Sequence, residues 1–311
     1  MAEGKAALVT GGAGFIGSNI VRYLDSEGMD VLVVDNFSTG KESNIPSNVK
    51  LENLDISIAD LTSLFNSFKP DIVTHCAAQT SVYISTEDPV LDAKINILGG
   101  INVVMAALSS KVKQFIYFNT GGALYGEPVY LPCDENHPLN PISPYGTSKM
   151  VLESYLKMLK NEKMDIKSLR LENVFGAGQD PGGYSGVISI FLKLMHDVKE
   201  VTIYGDGSQS RDFIYIQDVV SAYVKMIEYK VDLILNIGTG KGVSVNQVFK
   251  ELSNVLNYRL DPKYAPAREG EVSEIILDIR KATNILKWKP LFSFQDGIKN
   301  TVQELGLNKL L

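Results

Sequence analysis

A doubly wound parallel α/β sheet is the fold this sequence predicts, and three features predict it. Short runs rich in β-branched residues alternate with longer helical patterns through the first half of the chain. The first run opens into a turn with three glycines and then an apolar helix. Near residue 173 the rhythm breaks, and loops rich in Gly, Ser, Asp and Gln (179–186 and 205–210) replace the tight spacing.

Strands are expected at 5–9, 30–35, 49–54, 71–76, 114–119, 166–171 and 233–237. Helices are expected at 18–27, 89–109 and 144–160, the second capped by Asp88 with Pro89 in its first turn. Seven strands with crossover helices make one doubly wound sheet of the Rossmann type. Residues 1–172, with about 212–240 returning to them, should form this larger domain. A smaller interleaved domain should take 173–211 and 241–311. There is no internal repeat and no low-complexity tract.

The 311 residues are 45% hydrophobic and 21% charged, with a formal net charge of -6 and a pI near 5.2. That balance suits a globular chain and argues against a nucleic-acid partner, which calls for a basic excess. The two cysteines, Cys76 and Cys133, form neither a CxxC nor a Cys/His cluster, so neither a disulfide framework nor a metal site is expected. No charged-then-apolar leader precedes the first strand, and no uncharged run approaches bilayer length. The expectation is a cytoplasmic protein without a membrane partner.

Gly11, Gly14 and Gly17 sit between a strand and a helix. Each relieves a steric demand: a tight turn, close backbone approach to a pyrophosphate, and close helix packing. The second strand ends in Asp35, 18 residues beyond Gly17. A carboxylate there accepts from an adenosine ribose and repels a 2′-phosphate, which selects NAD over NADP. Asp55 and Ile56, after the third strand, either hold the adenine edge or form a solvated turn.

Tyr145 and Lys149 are four apart near the start of a helix, so both emerge on one face beside the carboxyl end of the sheet. A phenol has a reference pKa of about 10, and lowering it by three units takes about 4 kcal/mol. An ammonium about 5 Å away supplies roughly 3 kcal/mol at an effective dielectric of 20. The positive ring of oxidised NAD supplies the rest, making Tyr145 a general base only while cofactor is bound.

These motifs, with His75-Cys76-Ala77-Ala78, Asn96, Tyr145-Gly146-Thr147-Ser148-Lys149 and Arg170-Leu171-Glu172-Asn173, resemble the extended short-chain dehydrogenase/reductase family over nearly the whole chain. Within it the chain looks most like the UDP-hexose 4-epimerases. The resemblance implies a cofactor site of Gly11, Gly14, Phe15, Ile16, Gly17, Asp35, Asn36, Ser38, Gly40, Asp55, Ile56, Ala77, Ala78, Gln79, Asn96, Tyr145 and Lys149. It implies Thr120 as proton relay, with Asn119 the neighbouring candidate. Dehydratases and decarboxylases of the family carry an acid just after that position, whereas Gly121, Gly122 and Ala123 offer none. Oxidation at C4 and reduction from the other face is the chemistry left.

For the sugar nucleotide the resemblance implies Thr120, Tyr145, Asn173, Val187, Thr202, Tyr204, Arg211, Arg268, Glu271 and Ile275. Two guanidinium forks, Arg211 and Arg268, in a chain with six arginines suit a pyrophosphate. Glu172 stands where relatives carry an aromatic or small residue, either altering substrate preference or facing solvent. Ile275 either leaves room for a 2-acetamido group or packs in the core. UDP-glucuronate epimerisation, another nucleotide-sugar oxidoreduction and a non-catalytic NAD sensor remain alternatives. His75 is expected to be structural, and His137 and His196 to lie on the surface. The apolar faces of 96–108 and 144–160 imply a homodimer, as in relatives.

Overall fold

The computed structural model describes residues 4–180, 186–267 and 272–307. The chain forms two compact units: Met1–Leu124, Ser143–Arg170 and Tyr223–Leu235 in the first, Tyr125–Ile142, Leu171–Ala222 and Asn236–Leu311 in the second.

The first unit is built on β1 (Ala6–Thr10), β2 (Asp30–Asp35), β3 (Lys50–Asn53), β4 (Ile72–His75), β5 (Gln114–Thr120) and β6 (Asp165–Leu171). With β10 (Leu233–Ile237) these make one seven-stranded sheet in the order β10-β6-β5-β4-β1-β2-β3. The pairs β1–β2, β2–β3, β1–β4 and β4–β5 run parallel. The seven expected strands are all present, within a residue or two at their ends. The order reverses between β1 and β4, and in such sheets the crevice at that switch point is where ligands bind.

The crossover helices are α1 (Phe15–Ser26), α2 (Leu61–Phe68), α3 (Val82–Glu87), α4 (Pro89–Ala93), α5 (Gly100–Ser109), α6 (Gly122–Tyr125) and α7 (Pro144–Leu159). Helix α1 starts three residues earlier than its sequence pattern suggested, because the glycine turn leads straight into it. The expected helix 89–109 is α4 and α5 joined by a π-helical turn at Lys94–Gly99. Such turns cluster at functional sites. By length and composition Pro89–Ser109 is long and apolar enough to cross a membrane, although Asp92 and Lys94 interrupt it. Here it is a core helix: Val103, Val104, Ala106 and Ala107 are fully buried, in one cluster with Phe115 and Leu156.

In the second unit, β9 (Ser210–Tyr215) pairs with β7 (Asn173–Phe175), β11 (Gly242–Ser244) and β13 (Glu274–Ile275), and β8 (Thr202–Tyr204) pairs with β12 (Lys263–Ala265). Helices α8 (Val187–His196) and α10 (Val245–Leu256), the latter following α9 (Ile216–Glu228), pack on each other. The buried Asp212 carboxylate accepts from the Thr239 and Gly240 amides at 2.8 and 2.9 Å, satisfying a charge that burial alone would expel.

One buried ion pair ties the first unit together. Glu153, on α7, accepts from Arg170 Nη2 at 2.6 Å and Nε at 3.1 Å, from Ser168 at 2.9 Å and from Asn119 at 2.8 Å. Burial opposes its ionised form, but Arg170 outweighs it and holds the carboxyl at about 2. A carboxylate whose folded pKa is depressed stabilises the fold above its ordinary range and loses that contribution as pH falls through the folded value. Glu153→Gln is therefore expected to cost about 3–5 kcal/mol in denaturant unfolding at pH 7, with Arg170 left uncompensated. The gap should close between about pH 4.5 and 2; a gap unchanged across that window would contradict the assignment.

Candidate active site

The turn after β1 is shaped by backbone contacts that exclude side chains. Gly11 has φ +69°, and a Cβ there would lie 2.5 Å from the Ala77 amide nitrogen. A Cβ on Gly17 would collide with the Gly11 carbonyl. Helix α1 begins with no side-chain cap and no acid in its first turn, leaving a helix N-terminus suited to a pyrophosphate. Gly40 packs against Ala13, so the loop after β2 borders the same turn. This cradle, which any Cβ would fill, fits a dinucleotide.

Asp35 is 8% exposed, with Oδ2 accepting from the Ala13 amide at 2.9 Å and Oδ1 from the Phe37 amide at 2.9 Å. The acid expected to select NAD thus also holds the glycine turn to the end of β2. Asn36 accepts from the Ser38 amide at 3.1 Å and hydrogen-bonds Asp55. Asp55 Oδ1 is engaged by the Ser57 amide and hydroxyl at 2.8 and 2.7 Å, beside the buried Ile56.

After β4 the chain runs through Ala77, Ala78 and Gln79. Asn96 Oδ1 accepts from the Gln79 amide, and its Nδ2 donates to Gln79 O and to Asp92 Oδ1, all at 2.9 Å. At 2% exposure, with its amide spent this way, Asn96 braces the loop rather than reaching out to a cofactor. His75 is 1% exposed, its Nδ1 2.7 Å from Thr10 Oγ1. Burial, and then Lys149, pull its pKa down to about 3, so it is a neutral packing group.

Ser143 caps α7 by accepting from the Gly146 amide at 3.1 Å, which starts the helix one residue before Tyr145. The phenol of Tyr145 hydrogen-bonds Thr120, at the end of β5. Asn119 is turned inward to Glu153, so of the two relay candidates Thr120 is the one at the phenol. Lys149 is 4% exposed; its Nζ donates to Phe118 O at 2.7 Å and lies 4.4 Å from the Tyr117 ring centroid.

The electrostatics differ from the simple expectation that the lysine lowers the phenol. Enclosure and then the Asp92 carboxylate push Tyr145 well up, and only the Thr120 hydrogen bond works downward. Burial pulls Lys149 down to about 7, against the upward pull of Cys76 and Asp92. Lys149 is spent on a β5 carbonyl, and without a further positive charge the pair rests as a phenol.

In the second unit a cleft of about 630 Å³ is lined by Tyr204, Gln209, Ser210, Val272, Ser273 and Glu274. Tyr204 is 39% exposed at the end of β8, Thr202 opens the same strand, Val187 opens α8 and Asn173 stands exposed at the start of β7. Arg211 Nη1 donates to Ser210 O at 2.8 Å and to Ser273 O at 3.4 Å, placing its base beside this cleft. Arg268 and Glu271 lie outside the described residues.

One expectation is corrected here, and two open alternatives are narrowed. Ile275 is 2% exposed in a cluster with Tyr125, Cys133 and Leu277, so of its two readings the structure shows the packed core residue. His137 is buried, accepting from the Val129 amide at 3.0 Å and donating to Pro138 O at 2.8 Å, where a surface residue was expected. Glu172 does not face solvent: it is 6% exposed and its Oε1 has no partner. Burial and then Asp212 drive its pKa well up, outweighing Arg211 and the Asn173 amide.

Sequence reading missed Asp92 and Glu153, both essentially buried. The available signal for Asp92 was Asn96 four residues later, two polar side chains on one face of an otherwise apolar helix. For Glu153 the available signal was Lys157 four residues later, an i,i+4 pair that it makes while itself buried.

The family model for the NAD dependent epimerase/dehydratase family matches residues 7–238. A protein of Methanocaldococcus jannaschii is 45% identical over 302 residues, 97% of this chain and 98% of the relative. The structure is similar to that of UDP-glucose 4-epimerase with UDP-glucose from Thermotoga maritima, at TM-score 0.94 and 42% identity over 97% of this chain and 98% of that one. It is also similar to a UDP-N-acetylglucosamine 4-epimerase from Methanobrevibacter ruminantium M1 in complex with UDP-N-acetylmuramic acid, at TM-score 0.92 and 33% identity, covering 98% and 99%.

A carboxyl whose folded pKa is raised costs stability as pH climbs past its ordinary range. Glu172→Gln is therefore expected to raise the melting temperature at pH 8 by roughly 1–3 °C, for a gain on the order of 1 kcal/mol. Melts from pH 4 to 8 should show the advantage vanish on the acid side, and an advantage independent of pH would remove the explanation.

Proposed function

The chain belongs to the NAD dependent epimerase/dehydratase family, and from that premise we propose that it inverts C4 of a UDP-hexose, with NAD as resident cofactor. The observation that carries this reading is the Thr120–Tyr145–Lys149 set beside a loop, Gly121–Ala123, that holds no acid. Dehydration or decarboxylation of the sugar needs a second proton carrier on that loop.

Gly11, Gly14, Phe15, Ile16 and Gly17 would hold the pyrophosphate of NAD, and Asp35 its adenosine ribose. Bound NAD supplies a reversible acceptor for the hydrogen on C4, the chemistry that turns a secondary alcohol into a 4-keto sugar and back. Thr120 Oγ1 passes the C4 hydroxyl proton to Tyr145 Oη and returns it after the sugar has presented its other face. Lys149 Nζ, fixed on Phe118 O, holds its positive charge at the end of the sheet while the phenol is ionised. In the second unit, Arg211 with Arg268 would grip the diphosphate, Tyr204 would stack on the uracil, and Asn173 and Glu271 would fix the diphosphate and ribose.

The plain hexose, UDP-glucose with UDP-galactose, is the substrate the residues support best. The N-acetyl forms stay within the reading, since a structural neighbour is named as a UDP-N-acetylglucosamine 4-epimerase. The assembly we infer is a homodimer: Leu98 on the π-helical turn, Met105 on α5 and Met158 on α7 are 59%, 49% and 77% exposed. Two free cysteines suit the reducing cytoplasm.

Purified protein, incubated without added NAD, is expected to convert UDP-glucose to its 4-epimer and to release NAD on denaturation. Formation of no 4-epimer from UDP-glucose, UDP-N-acetylglucosamine or UDP-glucuronate would end the epimerase reading. Tyr145→Phe should lower kcat by about 10² to 10⁴-fold with NAD still bound, measured by product chromatography. Met105→Glu with Met158→Glu should halve the mass seen in light scattering.

A further inference from the structure

Asp92 is fully buried on α4, yet one of its oxygens has no partner. Oδ1 accepts from Gln79 Nε2 and Asn96 Nδ2, each at 2.9 Å, while Oδ2 has none. No ion pair among the described residues includes it. Buried carboxylates are ordinarily paired, and an open oxygen in a desolvated place calls for a reason.

The reason lies in what the charge reaches. Helix α4 packs on α7, and the Asp92 carboxylate acts on Tyr145 and Lys149 of α7 and on Tyr117 of β5. The other titratable groups around the pair do not compete for the role. His75 and Cys76, at the end of β4, are held neutral by burial. Tyr117 is likewise held as a phenol. Glu153, one helical turn beyond Lys149, is committed to Arg170. Asp35 lies on the glycine turn, hydrogen-bonded to Ala13 and Phe37. Glu87 of α3 and Lys94 of the π-helical turn, on elements that also pack on α7, belong to the same surroundings, and among these acids Asp92 is the one buried with an oxygen that has no partner.

We propose that Asp92 is a positioning residue that sets the charge of that pair, keeping Lys149 an ammonium and Tyr145 a phenol until the positive ring of the cofactor is in place. Gln79 and Asn96 hold one carboxylate oxygen by hydrogen bonds, so the charge keeps a fixed orientation without an ion pair to neutralise it. The arrangement makes the base conditional on the charge of the cofactor ring: the phenol ionises beside the positive ring and is restored when that charge is gone. The inference deepens the proposed function and rests on Tyr145 being its proton carrier.

The test is Asp92→Asn, which keeps an acceptor for both amides and removes the charge. Without it Lys149 gives up its proton at lower pH and Tyr145 ionises at lower pH. Both limbs of the bell-shaped kcat profile for UDP-glucose are then expected to move down, by on the order of one pH unit. A readout independent of turnover is tyrosinate absorbance of the NAD-loaded protein, with the Tyr145→Phe titration subtracted in each background. The Tyr145 transition should fall by a similar amount in the variant. A purely structural Asp92 would lower kcat or loosen NAD while leaving both limbs and the tyrosinate transition in place, and that result overturns the proposal. Asp92→Ser removes the same charge and serves if the asparagine variant does not fold. Should wild-type protein epimerise nothing, the function fails separately, because the tyrosinate titration still reports on Asp92.

Discussion

The Glu153 carboxylate is the constraint on which the catalytic end of the first unit depends. It joins α7 to β6 through Arg170 and Ser168, and to β5 through Asn119. Asn119 in turn accepts from the Thr120 amide at 2.9 Å. One buried acid thereby fixes the strand that carries Thr120 against the helix that carries Tyr145 and Lys149. An apolar contact of the same area would stabilise as much but would not set direction, since hydrogen bonds to a carboxylate fix angle as well as distance.

The same unit shows how burial, more than any single neighbour, sets the state of its titratable groups. Thr10 and His75 make a short hydrogen bond under the sheet's end, and the imidazole stays neutral. Lys149 sits close to neutrality in its titration, held by a carbonyl and an aromatic face rather than by a paired acid. A site so dry magnifies any charge that enters it, because Coulomb energies rise as the effective dielectric falls. A resting phenol and an entering cation are therefore two halves of one device.

Much of this was legible in the sequence. Six of the seven strands are short runs, most of them apolar, buried along nearly their whole length, and such runs stand out between turn signals, whereas Lys50–Asn53 is largely exposed. The glycine turn is legible because only glycine tolerates its contacts. What was hidden depends on tertiary burial. Strands β11 and β13 span three and two residues, too short for any period to register. The π-helical turn at Lys94–Gly99 carries no composition of its own. His137, Glu172 and Glu153 are polar residues whose burial no local pattern announces: His137 is held by the Val129 amide, Glu153 by Arg170 and Asn119, and Glu172 is enclosed with one oxygen open. Ile275 was ambiguous because a core isoleucine and a pocket isoleucine look the same until the neighbours are known.

Asp35 gives the last link between the fold and the proposed chemistry. Its two oxygens already hold the amides of Ala13 and Phe37, so the glycine turn and the end of β2 are fixed before any ligand arrives. A preformed site loses little entropy on binding, and that favours tight, slow-leaving ligands. For a dehydrogenase that exchanges its cofactor every cycle, tight retention would slow release. For a reaction that removes and restores the same hydrogen, release never occurs, and retention carries no penalty. The rigidity of the turn and the absence of an acid after Thr120 thus support the same reading from independent directions.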